Sequence, residues 1–234
     1  MKITKAQFKA EVGHINNLIN SHFRHFETPL KKMMNDGIVN IDEYYSSEIK
    51  IMWILKEPYD SNENGMSGGW SMTDALDKDK LGKRRDSKTW NNIILASFGI
   101  LNGFERVKKI KESYNYDEVR SVLKKIVFIN VKKIPGATTT ANSTLIKAYN
   151  ENKGILLNQI STYRPNIIIG GKTLHLFKGD LKIEEKNQLD SGHFFLENQL
   201  FINTLHPGQR KLSSEVYVNK IIERAEQWKE IYSK

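Results

Sequence analysis

The sequence predicts an α/β fold: a three-layer α/β/α sandwich around a central, mainly parallel four-stranded sheet, formed as a single domain over residues 1–234. Three observations lead there. Four short apolar runs, Ile49–Leu55, Ile126–Ile129, Ile167–Ile169 and Leu200–Leu205, have the length of buried strands. The gaps between them are of crossover size and carry helical periodicity, as parallel strands require. Each run also ends in chemically useful residues: Lys56-Glu57-Pro58-Tyr59-Asp60, Asn130, Gly170-Gly171 and His206-Pro207-Gly208. In an open parallel sheet ligands bind beyond the carboxyl ends of the strands, so polar groups at those ends converge on one site.

The helices follow in order. Phe8, Val12, Ile15, Ile19, Phe23 and Phe26 recur at three- and four-residue steps behind a Thr4 cap, giving a long amphipathic helix that ends before Pro29. Trp90, Ile93, Ile94, Phe98 and Leu101 mark a second, with Gly103 placed for a left-handed stop. Tyr116–Lys125 is a third. Leu145, Tyr149, Leu156, Ile160 and Tyr163 form a stripe after Asn142 that Pro165 terminates, although Gly154 weakens its middle by about 1 kcal/mol relative to alanine. The last helix, from about Ser213 to Tyr232, turns Val218, Ile221, Ile222, Ala225 and Trp228 inward. Between the first strand and the second helix, Asp60–Arg85 is rich in Gly, Ser, Asp and Lys and reads as a long functional loop.

Composition narrows the chemistry. Thirty-six Lys and Arg against 27 Asp and Glu give a net charge of +9, a balance that suits polyanionic partners such as nucleic acid. No cysteine occurs, which excludes disulfides, thiolate nucleophiles, iron–sulfur clusters and thiolate zinc sites. The apolar runs are too short to span a bilayer, and Met1-Lys2-Ile3-Thr4 does not begin a secretion signal, so a cytoplasmic protein is expected.

Taken in order, Lys56-Glu57-Pro58-Tyr59-Asp60, Trp70-Ser71, Ile129-Asn130, Ile167–Gly171 and Thr204-Leu205-His206-Pro207 resemble the uracil-DNA glycosylase superfamily, over roughly residues 50–213. The resemblance implies an enzyme that flips uracil or a related damaged base out of DNA and hydrolyses its N-glycosidic bond without metal or other cofactor. By that likeness Glu57 positions the attacking water and offsets charge on the sugar, and His206 donates to the base oxygen as the base leaves. Pro58 shapes the loop, Tyr59 crowds the 5-position of the base, Trp70 stacks on the base, and Asn130 reads the pyrimidine edge. The commonest family pattern has Asp at the position of Glu57, Gln at that of Lys56 and His at that of Asp60.

Other residues are expected to hold the nucleic-acid backbone. Lys132, Lys133, Thr138 and Thr139 follow Asn130 and suit phosphate, as do Arg210 and Lys211, while Leu212 is the candidate wedge for the gap left by an extruded base. A solvated capping loop has the same composition as Thr138–Ser143. His22 and His25 lack carboxylate or cysteine partners for a metal, and Gly170-Gly171 with Lys172 and His175 lacks the run of a nucleotide-hydrolysing loop. The expected protein is a monomer acting on DNA. Two other readings stay open: a catalytically inactive nucleic-acid-binding module, and a nucleoside or nucleotide N-glycosidase.

Overall fold

A computed structural model describes residues 3–58, 60, 66–77, 87–136, 140–190 and 192–232. The expected strands are β2 (Ile51–Leu55), β3 (Ile126–Asn130), β4 (Ile167–Gly171) and β7 (Gln199–Thr204). They pair in parallel in the order β3-β2-β4-β7. The sheet is wider than the four strands expected. Antiparallel β1 (Gly37–Ile38) flanks β3, and β6 (His193–Leu196) and β5 (Gln188–Asp190) extend the edge beyond β7, making a mixed sheet of seven strands among the described residues. The extra strands are too short for a period of two to declare itself, and the β6–β7 turn, Glu197-Asn198, lacks the glycine that signals a hairpin.

Side chains alternate along the parallel strands between two clusters. Ile51, Trp53, Leu55, Phe128, Ile169 and Ile202 join one; Met52, Ile54, Val127, Ile129, Ile168 and Phe201 join the other. Burial on both sides is why these strands read as unbroken apolar runs. The first cluster receives α4 (Lys88–Leu101) and α9 (Ser214–Tyr232), and the second receives α1 (Lys5–Arg24) and α7 (Asn142–Tyr163). Thr4 caps α1 through a reciprocal pair with Gln7, as its position predicts. Arg164, left-handed at φ 50°, closes α7 before Pro165. The expected third helix is divided into α6 (Tyr116–Arg120) and a 3-10 turn, Ser121–Lys125.

Four short helices escaped the periodicity: α2 (Ile41–Ser46), α3 (Met72–Asp77), α5 (Val107–Ser113) and α8 (Leu174–Phe177). Asp60–Arg85 is therefore not all loop. Before α3, Ser67 and Ser71 bridge to Lys31 and Asn35, tying part of it to the chain after α1. Among the described residues no helix is long and apolar enough to cross a membrane.

Two helical glycines separate packing from propensity. A Cβ at Gly99 would meet the Glu105 carbonyl oxygen at 2.5 Å and collide with Ile222 where α4 meets α9. At Gly154 nothing lies within 4 Å. Gly99→Ala is expected to destabilise the fold by about 1–3 kcal/mol, whereas Gly154→Ala stabilises it by about 0.5–1 kcal/mol. Urea unfolding midpoints should move in opposite directions.

Candidate active site

β2 neighbours β3 on one side and β4 on the other, and the chain crosses from β3 to β4 past β2. Such a reversal of direction opens a crevice at the carboxyl ends of the strands. Pairing persists beyond the strands: Val131 N–H donates to the Leu55 carbonyl at 3.0 Å and Lys132 N–H to that of Lys56 at 2.9 Å. Lys132 is thereby carried beside Glu57. Its ammonium donates to one Glu57 carboxylate oxygen, and the Thr140 hydroxyl donates to the other. The carboxylate also lies against Gly136, where any Cβ would collide with it. Only 5% of the Glu57 side chain is exposed. Each carboxylate oxygen has two lone pairs and accepts one of these bonds, so both keep acceptor capacity for a water.

His206 follows β7. Asn92 from α4 donates to the Pro207 carbonyl at 2.7 Å, and the Tyr217 hydroxyl from α9 donates to that of Leu205 at 2.8 Å, so two helices pin the chain on either side of the imidazole. Gly208 N–H donates to His206 Nδ1 at 3.1 Å. A neutral ring accepting there carries its proton on Nε2 and can donate from it. Burial lowers the His206 pKa, and the ammonium groups of Lys56 and Lys172 push it the same way. A Cβ on Gly171 would meet Leu55 at 3.5 Å and the His206 Cα at 3.6 Å. The ends of β2 and β4 and the histidine loop therefore meet at this glycine.

Trp70 is joined to the same rim through Asp60. The indole N–H donates to Asp60 Oδ2 at 2.9 Å, and Gly68 N–H donates to the same oxygen at 2.8 Å. The residue stays 37% exposed. A Cβ on Gly68 would meet the Pro135 Cδ at 3.2 Å, which links this segment to the Pro135-Gly136 turn under Glu57. Gly68 is also left-handed, at φ 75°.

Asn130, opposite Leu55 in register, is buried. Its backbone N–H and side-chain Nδ2 both donate to Asp36 Oδ2, at 2.7 and 3.3 Å. Because a carboxylate only accepts, the amide nitrogen faces Asp36 and the amide oxygen faces away. The second Asp36 oxygen accepts from Lys133 at 2.6 Å and from Gln159 at 3.3 Å. Lys133 thus corrects an expectation: its side chain is 0% exposed and cannot meet phosphate. Successive residues leaving a strand point to opposite sides, so Lys132 reaches the rim and Lys133 the interior. Burial lowers the Lys133 pKa, and the Asp36 carboxylate opposes that pull.

Leu212 is a second correction. It is half-buried against the first core cluster, and Gln209 holds its backbone at both N–H and carbonyl, so it plugs the core and does not stand free as a wedge. Arg210 and Lys211 are exposed beside it. Tyr59, Thr138 and Thr139 lie outside the described residues.

Sequence reasoning missed Gly136, Thr140 as a partner of Glu57, Asp36, and a basic hollow at the ends of β2, β4 and β7. That hollow, of about 600 Å³, is lined by Lys56, Asn142, Lys172, His175, Thr204 and Arg224 among others. Lys172 and His175 were visible in the sequence as a polar sequel to β4, but Arg224 is one charge among many on α9. A larger hollow of about 1170 Å³ lies at the opposite end of the strands, beside Lys50, Asn166 and Gln199. It is remote from the groups described above. Among the described residues no three His, Asp or Glu side chains are grouped to hold a metal ion.

Two predictions follow from these contacts. Lys133→Met leaves the Asp36 carboxylate buried without its cation and should cost about 3–5 kcal/mol; Asp36→Asn added to it should restore part of that in urea unfolding. His206 should titrate below the ordinary histidine range by NMR. Lys172→Gln removes a nearby cation and should move that titration upward. Because the depressed folded pKa means the unfolded chain binds the proton more readily, stability falls as pH drops through about 6.5.

No family model matches the chain, and no curated protein matches it.

Proposed function

We propose that the protein is a DNA N-glycosylase of the uracil-DNA glycosylase type, a cytoplasmic monomer with a three-layer α/β/α fold that extrudes uracil or a related damaged pyrimidine and hydrolyses its N-glycosidic bond. The observation that carries this reading is the pairing of chemistries at one rim: a shielded carboxylate, Glu57, beyond Leu55, and an imidazole, His206, whose Nδ1 is occupied so that Nε2–H is the donor. Glu57 would orient water toward the sugar carbon and offset the positive charge that grows there as the bond breaks. The His206 Nε2–H would stabilise negative charge on the departing base, without transferring a full proton from a charged ring. Trp70 offers a stacking face worth about 1–3 kcal/mol for a flipped base, with Tyr59 as the proposed wall of the pocket and Asn130 as its reader.

The longer Glu57 side chain has more rotamers than an aspartate, and Lys132, Thr140 and Gly136 remove that freedom. Placement of the reacting groups is what such a restraint improves. Lys132 at the same time favours a second reading. Its ammonium neutralises part of the charge that would stabilise the sugar cation, which suits a nucleic-acid-binding module without catalysis. The basic hollow supports a third, an N-glycosidase acting on free nucleosides or nucleotides.

Incubation with uracil-containing single- and double-stranded DNA tests these readings. Glu57→Gln should lower base release by about 10²–10⁴-fold and His206→Ala by about 10²–10³-fold, with circular dichroism unchanged. Equal release by all three proteins would remove both assignments. Tight binding of uracil-DNA with no alkali-labile site would select the binding module, and release from nucleosides with little dependence on salt would select the third reading.

A further inference from the structure

We propose that segments 30–35 and 66–71, paired as a ribbon, form a contact surface for single-stranded nucleic acid, in which Lys31 and Lys32 hold phosphates while Leu30, Met66 and Trp70 meet unpaired bases. This surface rests on the nucleic-acid partner of the reading above and not on the chemistry at Glu57 and His206. Backbone hydrogen bonds zip the two segments in parallel: Ser67 N–H to the Leu30 carbonyl at 2.9 Å, Lys32 N–H to that of Ser67 at 2.9 Å, Gly69 N–H to that of Met33 at 3.0 Å, and Asn35 N–H to that of Trp70 at 3.3 Å. The approach is so close that a Cβ on Gly68 would lie 1.9 Å from the Lys32 carbonyl oxygen.

Large apolar residues stand out of this ribbon together. Leu30 is 57% exposed, more than any other large apolar residue among those described, and Met66 is 47% exposed beside the partly exposed Trp70. Apart from Phe26, the other exposed ones are spread over α1, α6, α7, α9 and β5, where single apolar residues at the surface are ordinary. A group of them on one short ribbon marks an interaction surface. The cations of the ribbon are uncompensated: Lys31 and Lys32 are exposed and make no ion pair among the described residues. The carboxylates that do touch the ribbon are occupied by its own N–H groups, Glu27 accepting from Met33 N–H at 2.9 Å and Asp60 from Gly68 N–H and the Trp70 indole. A Cβ on Gly69 would meet the Lys32 Cδ at 3.5 Å, so the lysine stem runs over the glycine that precedes Trp70.

Free cations interleaved with apolar and aromatic groups suit a strand whose backbone is anionic and whose bases offer apolar faces, faces that a duplex keeps stacked and hidden. The Trp70 ring is fixed through its N–H to Asp60 before any ligand arrives, which lowers the ordering cost of binding. The ribbon also adjoins the candidate site, because Gly68 backs onto Pro135, next to the Gly136 that lies under Glu57. A strand held there lies beside the carboxylate rim. The role first expected of Leu212, an apolar side chain set against the bases next to an extruded one, falls here to Leu30 and Met66.

Fluorescence anisotropy of the full chain with labelled, uracil-free DNA over a range of salt tests this surface apart from base release. A single strand should bind more tightly than a duplex of the same length and should quench tryptophan emission, a quench lost in Trp70→Ala. The fall of log affinity with log salt should become shallower by about 0.7 for each of Lys31→Gln and Lys32→Gln. Leu30→Ser combined with Met66→Ser should weaken binding about tenfold and leave that slope unchanged, the signature of contacts to bases and not to phosphates. Melting temperatures of these lysine, leucine and methionine variants should stay native, because the residues are exposed. A native salt slope in both lysine variants, tighter binding of the duplex, or native affinity in the Leu30→Ser, Met66→Ser protein would overturn the proposal, as would self-association that those two substitutions abolish while DNA binding persists. Uracil release by a protein whose ribbon variants bind as the native chain does would remove this surface and leave the glycosylase reading standing; strand binding with the expected slopes but no base release would do the reverse.

Discussion

Strand β2 hydrogen-bonds in parallel to β3 on one side and β4 on the other, and that shared direction is what brings the polar residues together. With Leu55 opposite Asn130 in register and packed against Gly171, the residues that follow each strand emerge at one rim. Continued pairing beyond Leu55 then decides which lysine meets Glu57. Slipping β3 by one residue would exchange Lys132 and Lys133, sending the buried ammonium to the rim and the rim ammonium into the core.

The rim is held from beneath by polar contacts that carry no exposed chemistry. Asp36 gathers Asn130, Lys133 and Gln159 around one carboxylate, and the Tyr163 hydroxyl joins through Gln159. A buried pair of this kind gives little net stability once desolvation is counted, but it tolerates few alternative arrangements. Its physical effect is to fix the end of β3 and the orientation of the Asn130 amide. On the other side of the sheet, Asn92 and Tyr217 hold the histidine loop from two helices. The candidate site therefore sits on regular elements at both flanks.

The polar residues that follow β2 are tied into separate contacts. Asp60 accepts from the indole of Trp70 and from Gly68 N–H, so it orders the aromatic segment. Lys56 adds positive potential at His206 and favours its neutral form. Glu57 fills the space that Gly136 leaves by lacking a side chain. Residues that look isolated along the chain belong to adjoining contacts in the fold.

The four parallel strands and the long helices were legible in the sequence because burial on two faces writes continuous apolar runs, and burial on one writes a 3.6-residue stripe. Thr4, the residues after each strand, and the glycine-rich segment before Trp70 announced themselves by local chemistry. The edge strands and short helices did not, since a few residues carry no readable period. Nor could spacing tell Lys132 from Lys133, reveal Leu212 as a core plug, or join Arg224 to Lys56 and Lys172. Adjacent residues share composition and differ only in which way the backbone turns them, and groups far apart in the chain meet only once the sheet and its helices have packed. Local pattern determined the elements, and tertiary packing decided their partners, because direction and proximity are properties of the folded chain.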